Sequence, residues 1–222
     1  MNVHCYGMDG EVMHQYSVDY DRKTIYFLLV TVSILITSGI NSFFSLNNMH
    51  ISITCFSIFG VLFVCFDKWI WKWKLLHTLG IVKTPNLSGT WKGSLFSSYH
   101  KFEKALPAEI HIKQTWTQIC ISGNFNQSKS YSISANIETN NGARTILRYV
   151  YMNKNNLAKS EGTMNSHSGL TALEFTLKEN STEGKYYNEP PDNVNYGELQ
   201  LVRNYKTHEA VTHLSDDENN EQ

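Results

Sequence analysis

The longest apolar stretch of the chain, Thr24–Phe66, contains no Asp, Glu, Lys or Arg. Because a helix needs roughly 20 mostly apolar residues to cross a bilayer, a run of this length predicts two crossings. The polar residues Asn47, Asn48 and His50 divide the run and supply the turn. Hydrocarbon does not satisfy free backbone amides, so each half is expected to be helical. The pattern therefore predicts a transmembrane helical hairpin at 24–66.

A basic, tryptophan-rich connector follows at 67–86. It contains four lysines and one acid: Lys68, Lys72, Lys74, Lys83 and Asp67. Cations close to membrane ends favour the cytoplasmic side, and the turn of the hairpin has none. Both termini, including the polar N-terminal segment 1–23, are therefore expected to face the cytoplasm. Three tryptophans are expected at the membrane interface: Trp69, Trp71 and Trp73.

From residue 87 to residue 204 the pattern changes to short segments that alternate between apolar and polar residues. Tyr131, Ile133, Ala135 and Ile137, for example, would share one face, with serines opposite. Such alternation is typical of half-buried strands. About eight antiparallel strands are enough to close a small barrel, which also removes exposed sheet edges. The remaining acidic segment, 205–222, is expected to be disordered.

Composition and motifs exclude several classes of function. The net charge of −1 does not favour a DNA or RNA polymer as partner. The four cysteines form no Cys-x-x-Cys pair, and the nine histidines lack the spacing of a metal site. No phosphate loop, nucleophile elbow or paired carboxylates are present. We therefore expect a protein that is not an enzyme, with no catalytic residues, no metal and no cofactor.

The interior of such a barrel can hold one small ligand. The alternation predicts an inward set of polar residues: Gln114, Tyr131, Tyr149, Tyr151, Tyr187 and Asn153. Aromatic faces stack on nucleobases, and amides or phenols read base edges. A phosphate would require a cation, for which the candidates are Lys92, Arg148, Lys185 and Arg203. The alternative is that the inward tyrosines simply belong to the core.

Arg203 has a second interpretation, in which it pairs with Trp91. Gly89-Thr90-Trp91 on the first strand, with Arg203 ending the last, resembles the closure of lipocalin barrels. There the arginine packs on the tryptophan ring. This resemblance favours a structural role for both residues.

The whole arrangement resembles one family, the two-transmembrane β-barrel effectors of CBASS, which are bacterial anti-phage systems. The motifs that carry the resemblance are PNLSGTWKG at 85–93, IKQTW at 112–116, SYSISANI at 130–137, LRYVYMN at 147–153, HSGLTALEF at 167–175, GKYYN at 184–188 and GELQLVR at 197–203. They stand behind an N-terminal hairpin. The resemblance implies two transmembrane helices followed by an eight-stranded lipocalin-like barrel.

The same resemblance implies a function. The barrel would be a cytoplasmic receptor for a cyclic dinucleotide made by a partner nucleotidyltransferase. Binding would promote oligomerisation of the hairpins, disruption of the bacterial inner membrane and abortive infection. Two alternatives stay open: a membrane-tethered lipocalin-like carrier of an apolar molecule, and a structural membrane protein with a filled barrel.

Overall fold

The computed structural model describes residues 12–47, 53–125, 128–139, 144–155, 168–188 and 195–204. Three sequence predictions lie outside these residues: the disorder of the acidic segment 205–222, the turn residues Asn48 and His50, and the character of residues 1–11. The described chain contains three α-helices: α1 Lys23–Leu46, α2 Cys55–Lys68 and α3 Lys74–Thr78.

The strands close into one barrel, which confirms the closed, mainly antiparallel architecture. Their bounds are β1 His14–Val18, β2 Gly89–Ser97, β3 Ala105–Gln114, β4 Gln118–Phe125, β5 Ser128–Glu138, β6 Thr145–Asn155, β7 Ser168–Thr176, β8 Ser181–Asn188 and β9 Tyr196–Asn204. The order around the barrel is β1-β4-β3-β2-β9-β8-β7-β6-β5, and β5 returns to β1. We call the end at which β2 begins the helical end, because the helices join there, and the opposite one the far end.

The predicted number of eight strands is wrong, because the described residues form nine. The additional strand, β1, comes from the N-terminal segment, for which the sequence predicted no secondary structure. It pairs antiparallel with β4 at His14–Gln15 and parallel with β5 at Tyr16–Val18. β4 and β5 pair directly only towards the far end, at Ser122–Phe125. At the helical end β1 therefore fills the gap between them.

Among the described residues, α1 is the one helix long and apolar enough to cross a membrane. Only Ile25, Leu29 and Ser33, one turn apart, are buried along it. The second predicted crossing is shorter than expected, because α2 has 14 residues. The Asn41 side chain holds the entry to α2 through two hydrogen bonds with the Ile53 backbone, of 2.9 and 3.1 Å.

A second core joins the barrel to the helices. The turn between β3 and β4 inserts Trp116 among them, with ring centroids 5.1 Å from Phe66 and 5.4 Å from Tyr26. The Trp116 amide donates to the Asp67 carbonyl at 3.0 Å. The Asp67 carboxylate accepts from the amide and hydroxyl of Thr117, both at 2.8 Å. These bonds fix the end of α2 to the barrel wall.

Trp71 belongs to this second core and is fully buried. The sequence prediction that it lies in an interfacial belt with Trp69 and Trp73 is therefore wrong for this residue. Its neighbours Trp69 and Trp73 remain 60% and 58% exposed. The short 3₁₀ turn Ile70–Lys72 lies between them, and of the three rings only the middle one is buried in the second core.

Candidate functional site

The barrel interior changes character from one end to the other. Towards the helical end it is filled mainly with apolar side chains, among them Leu87, Trp91, Ile110, Ile119, Ile137, Leu147 and Phe175, and three polar residues are also buried there, Gln114, Thr145 and Thr182. From the middle to the far end the buried residues include polar ones: Ser97, Ser130, Ser132, Tyr149, Tyr151, Asn153, Thr171 and Tyr186. Because buried polar groups are costly without partners, a concentration of them at one end marks a candidate site. We call this set the far-end site.

Two of the tyrosines lie against glycines of the neighbouring strand. Tyr151 is opposite Gly169, and a Cβ atom built there would stand 2.4 Å from the phenol oxygen. Tyr186 is opposite Gly197, and a Cβ atom there would stand 2.4 Å from its ring carbon Cε1. A ring packed over a cross-strand glycine is held by the wall itself. The two glycines therefore determine where these rings lie.

Each tyrosine hydroxyl also has a polar partner. Tyr149 bonds with Thr171, Tyr186 bonds with Ser97, and the Tyr151 hydroxyl donates to Oδ1 of Asn188. The rings of Tyr149 and Tyr151 are 6.3 Å apart and inclined at 57°. The far-end site thus contains aromatic faces whose hydroxyls are oriented by side chains of the barrel wall, one on the next strand and two on the strand beyond it.

The site is electrically neutral. Burial raises the pKa of Tyr149 to about 12, an effect that the Thr171 hydrogen bond partly offsets. Burial likewise raises the pKa of Tyr151 and of Tyr186. No Lys, Arg, Asp or Glu is buried in the described part of the chain. At neutral pH the site therefore offers hydroxyl and amide groups together with aromatic faces.

The sequence prediction placed Tyr149, Tyr151 and Asn153 inside the barrel, and all three are buried there. Gln114 is also inward, but at the helical end. Its oxygen accepts the Leu87 amide at 2.8 Å, and its nitrogen donates to Pro85 and Tyr16 at 3.2 and 3.3 Å. These bonds give Gln114 a structural role at the covered end.

The inward orientation predicted for Tyr131 and Tyr187 is wrong. β5 has an irregularity between Ser132 and Ser134 that reverses the alternation. Ser130 and Ser132 are buried instead, and the Tyr131 hydroxyl points outward to the Met152 sulfur at 3.1 Å. In β8, Tyr186 is the buried member of the adjacent pair, and Tyr187 is 46% exposed.

The predicted phosphate-binding cations do not line the interior either. Lys92 pairs with Glu109 at 3.0 Å on the outer wall, and Arg148 pairs there with Glu138. Lys185 is exposed. Arg203 lies with its guanidinium carbon 5.0 Å from the Trp91 ring centroid and donates to the Asn86 and Ser88 carbonyls. This is the geometry that the lipocalin-like closure predicts.

Ser97, Thr171 and Tyr186 were not among the residues predicted from the sequence to line the interior. A usable signal existed for Ser97, because it continues the alternation that begins at Trp91. The loop after it, 98–104, carries His100, Lys101 and Lys104 at the far end. Lys101 and Phe102 adopt left-handed backbone angles, with φ of 51° and 61°. The Phe102 amide donates to the Ser97 carbonyl at 3.0 Å, which ties this loop to the site.

Comparison with known proteins yields two matches. Residues 82–203, more than half of the chain, match the family model described as Cap15, cyclic dinucleotide receptor domain. The chain is also 29% identical over 164 residues to CD-NTase-associated protein 15 of Yersinia aleksiciae. That match covers 70% of this chain and 75% of the relative.

Proposed function

The chain belongs to the Cap15 family of cyclic dinucleotide receptor domains, and we propose that it is a membrane effector of a CBASS anti-phage system whose far-end site binds a cyclic dinucleotide. The ligand would come from a cognate nucleotidyltransferase. The observation that carries the proposal is the set of three buried tyrosines, Tyr149, Tyr151 and Tyr186, at one end of the barrel. The chain would act as a receptor and not as an enzyme.

The far-end site fits the base part of such a ligand. Nucleobases stack on aromatic rings, with about 1–3 kcal/mol per base. Their polar edges require donors and acceptors, which the tyrosine hydroxyls, Asn153 and Thr171 supply. A purely apolar ligand would leave these groups without a role in recognition.

The phosphates would lie near the far-end loop. The interior offers no cation within the described residues, whereas a cyclic dinucleotide carries two negative charges. Lys101 and Lys104 are exposed on loop 98–104, and charge-assisted bonds to phosphate are stronger than neutral ones. In this arrangement the bases enter the barrel and the phosphates remain at its end.

The effect of ligand binding would pass from the barrel to the helices. β1 precedes α1 and β2 follows α2, yet both strands belong to one barrel. If α1 crosses the bacterial inner membrane, the chain must therefore return before β2, so that the N-terminal segment and the barrel lie on the same side. The lysines that follow α2, Lys68, Lys72 and Lys74, favour the cytoplasm as that side. Two helices do not line a wide pore, so membrane disruption and abortive infection would require many copies. Ligand binding drives such oligomerisation only if the assembled form binds the ligand more tightly.

The test is calorimetric titration of the full-length protein in detergent with a panel of cyclic dinucleotides at fixed salt. We expect one member to bind at micromolar concentration or below. Tyr151→Phe keeps the ring but removes the hydroxyl, and should weaken binding about tenfold, as expected for about 1.4 kcal/mol. Tyr187→Phe is the matched control, because that residue lies outside the barrel, and it should stay within about twofold.

The proposal would fail if the folded protein bound no member of the panel. Equal weakening by the Tyr187→Phe control would move the site to the outer wall. Circular dichroism of both variants separates loss of binding from loss of fold.

A further inference from the structure

The connector presents an exposed surface beside the start of α1. We define this connector surface by its exposed apolar side chains, Trp69, Trp73, Leu75 and Leu79, and by the lysines among them, Lys68, Lys72 and Lys74. The four apolar side chains are between 58% and 63% exposed. Exposed tryptophan and leucine in such a group mark a contact with another molecule or with a membrane.

The connector surface is held in place by the second core. Trp71, in its middle, is fully buried against the helices. Asp67, directly before it, is bonded to Thr117 of the barrel. The outward direction of Trp69 and Trp73 is therefore set by packing on the opposite side. Such a surface is ordered before any partner arrives.

The surface is strongly basic. No Asp or Glu occurs between Asp67 and Glu103, whereas Lys68, Lys72, Lys74 and Lys83 do. Within the connector the one carboxylate is Asp67, which accepts two hydrogen bonds from Thr117 and attracts the Lys72 ammonium. None of these four lysines forms an ion pair within the described residues. Four lysines against one carboxylate leave the surface with an excess of positive charge for an anionic partner.

We propose that the connector surface binds the headgroups of anionic phospholipids. Its position favours a membrane over another protein as the partner. α1 begins at Lys23 and α2 ends at Lys68, so the surface lies at the barrel-proximal ends of the two apolar helices. Tryptophan rings are stable at the level of the headgroups, and lysines near a membrane are attracted to anionic lipids. This inference requires α1 to be in a membrane, but it does not depend on dinucleotide binding.

The consequence is selectivity among lipids. The protein would collect anionic lipids around its hairpin in a bilayer of mixed composition. Because the attraction is electrostatic, the preference should weaken as salt rises. The aromatic contact itself should persist at high salt.

The experiment uses the full-length protein in nanodiscs of phosphatidylcholine with about one fifth phosphatidylglycerol. Bromine is placed on the acyl chains of one lipid or the other, at equal mole fraction, and quenching of tryptophan fluorescence is measured. We expect brominated phosphatidylglycerol to quench at least twofold more at low salt. The excess should fall at high salt.

The lysines are tested by Lys72→Gln with Lys74→Gln. This pair should abolish the preference while leaving quenching by brominated phosphatidylcholine unchanged. The matched control is Lys129→Gln with Lys185→Gln, which removes the same charge from exposed strand positions away from the helical end and should keep the preference.

Equal quenching by the two lipids in the unmodified protein would overturn the proposal. So would a preference that survives in the Lys72/Lys74 pair, or one that the control pair also loses. Calorimetry with cyclic dinucleotides on the same samples reports separately on the proposed receptor function.

Discussion

At the scale of single residues, Tyr149 couples the chemistry of the far-end site to the stability of the barrel. Its hydroxyl is fully enclosed and bonded to Thr171, and burial raises its pKa from the ordinary 10 to about 12. In an unfolded chain the same phenol ionises near pH 10. The folded state therefore holds a proton that the unfolded state releases.

This difference predicts an alkaline limit to stability. The contribution of Tyr149 is fully present below pH 10 and is lost as pH rises from 10 towards 12, with a slope of about 1.4 kcal/mol per pH unit. Tyr149→Phe has no proton to release, so its stability should decline less steeply over this range. Urea unfolding of the full-length protein in detergent at several pH values measures both slopes.

Tyr187→Phe serves as the control for this effect, because that phenol is about half exposed. Its slope should match that of the unmodified protein. An unchanged slope in Tyr149→Phe would show that the Tyr149 phenol does not hold its proton against solvent.

The residues of the site were predictable where the alternation is unbroken. In LRYVYMN, Tyr149 and Tyr151 share a face with Leu147. Because leucine is expected in the core, the pattern also predicts that both tyrosines point inward. The orientation predicted for Tyr131 was wrong because the irregularity after Ser132 adds one residue to the strand, and nothing in the sequence signals it. In β8 two adjacent tyrosines are equivalent by pattern, and only the position of Gly197 opposite Tyr186 distinguishes them.

At the scale of elements, β1 is the strand that connects the barrel wall to α1. His14 bonds Ser132 of β5 at 2.8 Å, and the Tyr16 hydroxyl donates to the Trp116 carbonyl at 2.8 Å. Ser132 in turn lies opposite Tyr151 of the far-end site. A short chain of contacts thus runs from the site through β5 and β1 to the first helix.

We expect β1 to detach when its one buried side chain, Tyr16, is removed. Tyr16→Ala should cost about 3 kcal/mol, since the ring packs in the barrel core. Hydrogen exchange should then increase at 118–121 and 135–137, which lose their partner strand. The direct β4–β5 ladder at Ser122–Phe125 should keep its protection, because it does not involve β1.

The exposed residue Tyr99, at 61%, provides the matched control through Tyr99→Ala, which should leave exchange in these segments unchanged. A uniform rise in exchange across all strands in Tyr16→Ala would contradict local detachment and indicate global loss of structure.

The elements were predictable from pattern except where other contacts decide. β1 has five residues, with Tyr16 as its one buried position, which is too short a signal for alternation. α2 begins later than its apolar run because Thr54 caps it, accepting the Ser57 amide at 3.3 Å. Both outcomes depend on neighbours that are distant in sequence or on a single polar side chain.

At the scale of the whole molecule, the barrel constrains any path that the chain could take through a membrane. Because β1 and β2 lie in one barrel, residues before α1 and after α2 stand on the same side. α1, with 24 residues, is about 36 Å long, whereas α2, with 14, is about 21 Å. Of the two helices, only α1 is long enough to span a hydrocarbon core of about 30 Å, and a return crossing by α2 would require flanking residues or a thinner bilayer.

Cysteine labelling in intact cells tests this path, after the four native cysteines have been replaced by serine or alanine. Asn48→Cys, between the helices, should react with a membrane-impermeant maleimide added from outside. Tyr99→Cys, at the far end of the barrel, should react only after lysis, because the barrel is expected in the cytoplasm. Reaction of the Asn48→Cys variant only after lysis would show that the hairpin enters the bilayer without crossing it. Reaction of the Tyr99→Cys variant in intact cells would place the barrel outside, away from any cytoplasmic source of ligand.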